Sequence, residues 1–280
     1  MAAEPVEYEH RIVVFLDFLG FRDHIARSLT DPVHAARIAK AFETVREFTA
    51  PEERWPDREV SQFSDCVVVS YRAVERSAVF DLLLSILRLQ VELAGRGFLV
   101  RGGITGGLLY HRGGAVFGPA MVEAYRLENE EARYPRILVA PELVEIARHY
   151  PAIHHSGKDE VRYVKEFLAE DEDGKRYLKY IDWDAVVESA GADSEHWPGY
   201  MGALARILER GLGSDDPRVL NKMVWLHRQY RAAIDHLFVA VRPPEVIARD
   251  RAYYDALLEL PRLDVEAQAA ASRITADEKP

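Results

Sequence analysis

The 280-residue chain carries 46 acidic and 36 basic residues, and its formal net charge of −10 argues against a general nucleic-acid binder. Its single cysteine, Cys66, excludes an internal disulfide framework and a cysteine-cluster zinc site. The acidic N-terminus lacks the apolar core of a signal peptide, and no apolar run approaches the roughly 20 residues that span a bilayer. We therefore expect a cytoplasmic protein that has neither nucleic acid nor a membrane as a partner.

Patterns typical of strands and helices alternate through the first part of the chain. Asp31-Pro32 marks a helix start, since Pro is favoured at the first helical position. Two apolar runs lie so close together that they predict a hairpin with Ser64-Asp65 at its turn. The predicted order is β-α-β-β-α-β, with strands over about 11–17, 59–63, 67–71 and 98–110 and helices over about 32–48 and 75–94.

Shorter elements follow, and then a helical region. We predict a strand at 115–117, a helix from 118 to about 131, a strand over 135–139, a helix from 141 to about 149, and a hairpin of 161–168 with 175–182. Helices are predicted over about 197–213, 216–240 and 243–260. The expected class is α+β, a ferredoxin-like βαββαβ sheet with helices on one face, extra strands and a C-terminal helical appendage. The predicted domains are a sheet domain over 10–184, the appendage over 185–265 and a frayed tail over 266–280.

Two aspartates border buried strands of this pattern. Asp17 ends the apolar run 12–16, and Asp65 precedes the run 66–69. A carboxylate there is costly to ionise without a partner, and two of them on neighbouring strands repel each other unless a cation lies between them. A strand cap or a turn bond explains either one alone, but the pair favours a hard divalent ion bound to a polyphosphate. Cys66 follows Asp65 and is expected to point to the opposite face, into the core.

Four motifs, in order, resemble the catalytic domain of the class III nucleotidyl cyclases over about residues 10–182. Phe15-Leu16-Asp17-Phe18-Leu19-Gly20-Phe21 resembles the family's first metal-site strand and the loop after it. Phe63-Ser64-Asp65 resembles the hairpin that holds the second metal carboxylate. Val100-Arg101-Gly102-Gly103-Ile104-Thr105-Gly106-Gly107 is similar to the glycine-rich strand, and the segment 118–127 to the helix that delivers a transition-state arginine. One such match is weak evidence, but four in the same order form a specific pattern.

The resemblance implies a reaction in which the ribose 3′-hydroxyl attacks the α-phosphorus and expels pyrophosphate. It implies two divalent ions, Mn²⁺ or Mg²⁺, held by Asp17 and Asp65. Arg126 would face the charge that develops on the α-phosphoryl group, and Lys165 would bind phosphate, although a solvated strand position explains Lys165 nearly as well. The family also implies a homodimer, in which the aspartates of one subunit meet the arginine and lysine of the other. The phosphate cradle would be the backbone amides of Phe18, Leu19, Gly20 and Phe21.

The departures from the family concern the base. Purine cyclases carry a base-reading lysine four positions before the second aspartate and another base reader three positions before the helix glycine. Ser61 and Ala115 stand there in this chain. Val122 replaces the asparagine expected one helical turn before Arg126. Neither purine selector remains, so Ser61 and Ala115 are the positions to inspect for contact with a different base.

Loss of both purine readers has two explanations, a catalytically inactive nucleotide-sensing domain or a changed base. We favour a changed base, because Asp17, Asp65 and Arg126 are all kept. The metal-site motifs, with the segments 123–128 and 134–137, look like the pyrimidine cyclases of the Pycsar anti-phage systems. That resemblance implies that UTP becomes cyclic UMP, with CTP and cyclic CMP as the alternative. The product would be an alarm signal read by a separate cyclic-nucleotide-binding effector. A diguanylate cyclase is less favoured, because the hairpin lacks the Gly-Gly-Asp/Glu-Glu-Phe signature.

Overall fold

The computed structural model describes residues 7–50, 57–192, 194–239 and 250–277. Two compact units divide the chain. The first comprises the residues up to Gln90 together with Phe98–Tyr180, and the second comprises Val91–Gly97 together with Ile181–Pro280. Among the residues described, no helix combines the length and the apolar character needed to cross a membrane.

The first unit contains the βαββαβ succession, which confirms the predicted α+β class. The strands in this part are β1 (Glu9–Phe18), β2 (Glu59–Phe63), β3 (Cys66–Arg72), β4 (Val100–Arg112) and β5 (Ala115–Phe117). The helices are α1 (Phe21–Ser28), α2 (Pro32–Thr49), α3 (Ala78–Gly95) and α4 (Pro119–Arg126), which continues as a π-helical turn over Leu127–Glu131. The remaining elements are β6 (Ile137–Val139), α5 (Glu142–His149), α6 (Gly157–Glu166), β7 (Leu168–Glu170) and β8 (Arg176–Leu178). The Asp31 side chain accepts a hydrogen bond from the His34 N–H and caps α2, as the sequence predicts.

The strands form one mixed sheet in the order β2-β3-β1-β4-β6-β8-β7, with β5 paired to β4. β1 lies between β3 and β4 and is antiparallel to both, whereas β4 and β6 are parallel. The order β2-β3-β1-β4 is the ferredoxin-like arrangement expected of a βαββαβ unit. β1 is buried on both faces, with Ile12, Val13 and Val14 fully inaccessible. Its ends therefore position residues at the centre of the sheet.

Helices cover both faces of this sheet, and the expectation of helices on one face was wrong. α4 packs over Gly103 and Gly107 of β4, where an added Cβ would meet Leu127 and Ala120. α5 packs over Gly106, where an added Cβ would point to the opposite face of the sheet. The glycines of β4 thus bring two helices close to one central strand.

The predicted hairpin of 161–168 with 175–182 is wrong in its first arm. Residues Gly157–Glu166 form helix α6, and only β7 and β8 pair as a short hairpin. Ser156 and Asp159 form a capping box, and Val161 and Val164 are buried three residues apart on one helix face. These are helix signals, and they place Lys165 in the last turn of α6 rather than on a strand.

The second unit confirms the predicted helical C-terminal region. α7 (Trp197–Leu212) and α8 (Pro217–Val239) pack together with a helix over Asp264–Asp277, and a further helix spans Arg251–Leu258. Residues 243–249 of the predicted helix over 243–260 lie outside the described residues.

The expected frayed tail is instead helical through Asp277. Ala267 and Ala270 are buried, and Arg273 donates to the carbonyl of Leu212 at 2.6 Å. These contacts offset the conformational entropy that the small, polar segment loses when it becomes ordered.

Candidate active site

A row of three side chains crosses the centre of the sheet at one end of β1. Asp17 is paired in register with Cys66 of β3 and with Arg101 of β4, so all three project from the same face. Asp65 lies in the β2–β3 turn directly before Cys66. Ligand atoms of Asp17, Asp65 and Cys66 all lie within 4.8 Å of one another. The structure therefore brings together the two aspartates that the sequence singles out.

Electrostatics make this cluster unfavourable without a cation. Burial raises the pKa of Asp17, and the charge of Asp65 adds to the rise, while Arg101 opposes it. Burial and both aspartates raise the pKa of the Cys66 thiol to about 12, so the thiol is protonated at neutral pH. Its Sγ donates to Oδ1 of Asp17 at 3.6 Å. The expectation that Cys66 faces away from the aspartates was wrong, because cross-strand register places it beside Asp17.

The donor set fits a divalent cation. Two half-buried carboxylates with ligand atoms this close repel each other, and a hard cation bound by oxygen removes the repulsion. Asp17 and Asp65 would hold such an ion. The two carboxylates offer oxygen ligands of the kind that Mg²⁺ and Mn²⁺ prefer.

Arg101 and Glu128 belong to this cluster but were missed from the sequence. Arg101 Nε lies 2.5 Å from Oε1 of Glu128 and 3.6 Å from Oδ2 of Asp17. Glu128 is buried in the π-helical turn after α4, and burial raises its pKa to about 7, with Asp17 adding to the rise and Arg101 opposing it. Strand alternation puts Arg101 on the face of Gly103, but only the close approach of α4 brings Glu128 to it.

Arg126 ends α4 and belongs to a second group of charges. It forms ion pairs with Glu123 at 2.7 Å and with Glu131, and Lys175 also pairs with Glu131. These residues and Arg176 line a cavity of about 300 Å³. Three cations thus converge on one cavity, where acidic partners hold them in place.

The structure separates Lys165 from this group and brings Lys175 into it. Lys165 is exposed on α6, whereas Lys175 lines the Arg126 cavity next to the β7–β8 turn. A buried Arg136 holds this turn through ion pairs with Asp171 and Asp173. Lys175 directly follows Asp173-Gly174, a dipeptide typical of hairpin turns, so the sequence did contain a signal for it. The wrong prediction of a strand over 161–168 led to Lys165 instead.

The loop after β1 differs from the expected phosphate cradle. The Phe18 N–H donates to the carbonyl of Asp65 at 3.3 Å, and the Leu19 N–H donates to that of Leu99 at 2.9 Å. Gly20 adopts a left-handed conformation with φ of 68° and precedes α1, which begins at Phe21. The first N–H groups of a helix lack intrahelical acceptors, so Gly20 and Phe21 remain suited to an anion while the other two amides hold the loop.

The two expected base-contact positions lie beside each other. The Ser61 hydroxyl donates to the carbonyl of Gly114 at 3.2 Å, directly before Ala115. Ser61 is buried, and its Oγ also lies 2.9 Å from Nε2 of His111, a residue that the sequence analysis missed. Ala115 is exposed at the start of β5. The side chain at position 61 is therefore already engaged within the chain.

No protein-family model and no curated protein matches the sequence, but solved structures do. The adenylyl cyclase CyaB from P. aeruginosa is 13% identical, covers 61% of this chain and 94% of its own, and has a TM-score of 0.43. The catalytic core of a rhodopsin-guanylyl cyclase with converted specificity, in complex with ATPalphaS, is 16% identical over 61% of this chain and 96% of its own, with a TM-score of 0.41. A class III adenylyl cyclase-like ATP-binding protein from Pseudomonas aeruginosa is 12% identical over 65% of this chain and 40% of its own, with a TM-score of 0.40.

Each of these three proteins carries a cyclase or cyclase-like name, and each is only distantly similar to this chain. Their TM-scores are all below 0.5. The function of this chain is therefore inferred from its own topology and from the geometry of its site.

Proposed function

We propose that the protein is a nucleotidyl cyclase that acts on a pyrimidine nucleoside triphosphate. The observation that carries the proposal is the approach of the Asp17 and Asp65 oxygens to within 4.8 Å at the end of a ferredoxin-like sheet. In the reaction the ribose 3′-oxygen forms a bond to the α-phosphorus and loses its proton. The bond from the α-phosphorus to the bridging oxygen breaks, and pyrophosphate leaves.

Asp17 and Asp65 would hold the divalent ions. Bound there, Mn²⁺ or Mg²⁺ supplies Lewis acidity to the 3′-hydroxyl and to the phosphate oxygens. The aspartates orient the reacting groups. Arg101, paired with Glu128, keeps Asp17 in place without fully neutralising it, since its Nε is closer to Glu128 than to Asp17. The N–H groups at the start of α1 would receive phosphate oxygens.

Arg126 and Lys175 are proposed as the cations that face the reacting phosphates. A planar, permanently ionised guanidinium suits the charge that develops on the α-phosphoryl oxygens, and Lys175 replaces Lys165 as the phosphate-binding lysine. Both pair with acidic side chains in a cavity of their own chain. We infer that these cations serve the aspartates of a second copy in a homodimer with composite active sites.

Exposed apolar side chains beside this region support a dimer. Val122 and Tyr125 of α4 are 68% and 49% exposed, and Phe117 of β5 and Tyr8 are nearly as exposed as Tyr125. Such side chains are costly to leave in water and mark protein–protein contacts when they are grouped. The proposed partner is a second copy of this chain.

The substrate proposed is UTP, converted to 3′,5′-cyclic UMP, with CTP as the alternative. Support comes from the two positions at which purine cyclases carry base-reading residues. Ser61 has a short side chain that is already hydrogen-bonded to His111 and Gly114, and Ala115 carries no polar group. We further propose that the product is a second messenger in anti-phage defence, acting on a separate cyclic-nucleotide-binding effector.

Incubation of the purified protein with Mn²⁺ and each of the four ribonucleoside triphosphates tests the proposal, with cyclic products and pyrophosphate measured by mass spectrometry. Cyclic UMP or cyclic CMP is expected in excess over the purine products. Equal or greater turnover of ATP or GTP would contradict the pyrimidine assignment. Binding of nucleotide without any product would instead favour a nucleotide-sensing domain.

The two lysines offer a matched comparison, which is our first prediction. Lys175→Ala should lower kcat by roughly 100-fold, because it removes a positioned cation from the transition state. Lys165→Ala changes the same residue type on the exposed face of α6 and should leave kcat within about twofold. Steady-state kinetics with UTP and Mn²⁺ measure both. Loss of activity in the Lys165 variant alone would restore the assignment made from the sequence.

A further inference from the structure

A guanidinium group with no exposed surface lies directly before β6. The Arg136 side chain is 0% exposed, although a guanidinium stays charged in proteins. Its Nη1 pairs with Asp171 and lies 3.2 Å from Oδ1 of Asp173, while its Nη2 lies 2.5 Å from Oδ2 of Asp173. The Asp173 carboxylate is thus held by both Nη atoms, in the bidentate geometry that fixes its orientation. Because burying a charge is costly, these ion pairs are expected to fix the position of a segment.

Asp173 connects the buried guanidinium to the backbone of Lys175. The oxygen Oδ1 that accepts from Arg136 also accepts from the N–H of Lys175 at 3.1 Å. The Lys175 carbonyl accepts from the N–H of Asp171 at 2.9 Å. Both backbone polar groups of Lys175 are therefore bound to the two aspartates that Arg136 holds. Burial alone would raise the pKa of Asp173, but the hydrogen bonds from Arg136 and from the Lys175 N–H lower it, in keeping with a charged acceptor.

The backbone pairing of the sheet does little to fix this turn. β7 and β8 contain three residues each and lie at one edge of the sheet, and β8 is joined to β6 through one registered pair, Leu138 with Tyr177. A short two-stranded hairpin is only marginally stable by itself. The turn over 171–175 therefore depends on side-chain contacts for a fixed position, and the ion pairs with Arg136 supply buried ones.

The same guanidinium reaches the segment that carries the other cation. Arg136 Nη2 donates to the carbonyl of Glu131, the last residue of the π-helical turn after α4, at 3.5 Å. The Glu131 carboxylate pairs with both Lys175 and Arg126, whose hydrogen bonds lower its pKa. Arg136 thus holds the backbone of Glu131 by a long contact and that of Lys175 by way of Asp173. Lys175 and Arg126 are thereby kept on one carboxylate at the wall of one cavity.

We propose that Arg136 is a positioning residue for phosphate binding, which holds the β7–β8 turn so that Lys175 lies beside Arg126 at the cavity. The inference rests on the proposed cyclase function and deepens it. Arg136 is buried and contacts no substrate, so it acts through Asp173 and the Lys175 backbone. Without the guanidinium, Lys175 keeps its charge but loses its fixed place. A displacement of about 1 Å from the productive position can lower a rate about 100-fold.

The test is a double-mutant comparison of Arg136→Lys and Lys175→Ala. Lysine keeps the positive charge beside Asp171 but cannot bind both oxygens of Asp173 as the guanidinium does. We expect Arg136→Lys to lower kcat with UTP and Mn²⁺ by about tenfold or more in the wild-type protein. In the Lys175→Ala protein the same change should lower kcat by less than about threefold, because the lysine that Arg136 positions is already gone. Arg162→Lys, the same change on the exposed face of α6, should leave kcat unchanged.

A purely structural role would give a different result. Arg136→Lys would then lower kcat by the same factor with and without Lys175 as the unfolding temperature falls, and that outcome overturns the inference. Unchanged kcat in the Arg136→Lys protein also overturns it. The Lys175 amide should exchange its hydrogen about tenfold or more faster in Arg136→Lys than in the wild type, since Asp173 no longer holds it. Equal exchange in the two proteins would contradict the restraint on the turn.

A second variant covers the case in which Arg136→Lys does not fold. Asp173→Ala removes the connecting carboxylate, whose side chain is 41% exposed, and leaves Arg136 paired with Asp171. It should lower kcat in the wild-type protein and change it by less than about threefold in the Lys175→Ala protein. Equal losses in both proteins would overturn the inference.

The experiment also separates this inference from the proposed function. If no nucleotide is turned over, the proposed cyclase activity fails, and calorimetric binding of UTP and of pyrophosphate in Ca²⁺ gives the same comparison without chemistry. A loss of affinity on Arg136→Lys that disappears in the Lys175→Ala protein still supports the role of Arg136. Equal losses in both proteins overturn it. If the wild-type protein binds neither UTP nor pyrophosphate, both proposals are overturned.

Discussion

Single residues at alternate positions of β1 divide one face of the sheet into three zones. Asp17 lies in the charged row, Phe15 and Val13 lie in an apolar cluster under α4, and Arg11 begins a buried hydrogen-bonded chain that leads to His111. The spacing of two residues along a strand explains why these different chemistries share one face. The residues of each zone therefore have different roles, and substitutions can test these roles one at a time.

A substitution of Asp17 is predicted to lower the rate of the reaction without destabilising the fold. Asp17→Asn should lower kcat by at least about 100-fold, because one metal-binding carboxylate is lost. The unfolding temperature should not fall, since burial already raises the pKa of Asp17 and its charge is unfavourable in the folded state. Steady-state kinetics and thermal unfolding without metal measure the two effects.

The control for this variant is Asp215→Asn, an exposed position in the helical unit that should change neither quantity. A folded Asp17→Asn protein with full activity would contradict the metal assignment. A large fall in unfolding temperature without metal would show that Asp17 serves the fold through Arg101.

His111 supports a prediction about pH. Burial and the charge of Arg11 lower its pKa to about 4 in the folded protein, against 6.5 for the ordinary imidazole, so the unfolded chain takes up a proton first as the pH falls. The free energy of unfolding contributed by neutral His111 is complete above pH 6.5 and is lost as the pH falls towards 4. The stability advantage of the wild type over His111→Gln should therefore shrink between pH 7.5 and pH 5, as measured by chemical unfolding. An advantage that is constant or larger at pH 5 would contradict the lowered pKa.

Among the elements, α4 connects the two charged groups of the proposed site. Its close approach to β4 brings the following turn, with Glu128, onto Arg101, while Arg126 at its end joins the cavity of Lys175. This approach requires Gly103, where an added Cβ would lie 2.5 Å from Cβ of Leu127 and 2.6 Å from the Ala124 carbonyl. The position of α4 therefore depends on the absence of a side chain at Gly103.

Gly103→Ala should displace α4 and lower the free energy of unfolding by about 1–3 kcal/mol, with loss of activity. Gly107→Ala is the matched control on the same strand and face, where the added Cβ would lie 3.4 Å from Cβ of Ala120. It should cost less than about 1 kcal/mol. Chemical unfolding and turnover of UTP measure both variants. Equal effects of the two substitutions would show that helix packing does not control the site.

At the scale of the whole molecule, the proposed composite site predicts complementation between inactive subunits. A mixture of Asp17→Asn and Arg126→Ala should form heterodimers in which one site contains both substitutions and the other contains neither. With random exchange at equal concentrations, half of the dimers carry one intact site, so activity should recover to about a quarter of the wild type. Activity against mixing ratio, with dimer formation checked by light scattering, tests this. No recovery among dimers that do exchange would place all the catalytic groups within one chain.

Much of the fold could be predicted because it is encoded by local signals. The short apolar runs of β1 and β3, the Asp31-Pro32 helix start and the β2–β3 turn depend on neighbours in sequence. The capping box of α6 is also a local signal. The strand prediction for this segment was wrong because the apolar and charged residues of 161–168 fit the periodicity of a strand as well as that of a helix. The helix over Asp264–Asp277 was missed because its stability depends on partners far away in sequence, such as Leu212 for Arg273.

The sequence by itself determined the β-α-β-β-α-β order of the sheet unit and the two aspartates, since apolar runs and a charge beside one of them are visible without coordinates. Only the tertiary structure decided that Cys66 and Arg101 flank Asp17, that Lys175 rather than Lys165 joins Arg126, and that His111 holds Ser61. These relations depend on strand register and on the approach of elements far apart in the chain. Register fixes which side chains share a face, and no local pattern in one sequence carries that information.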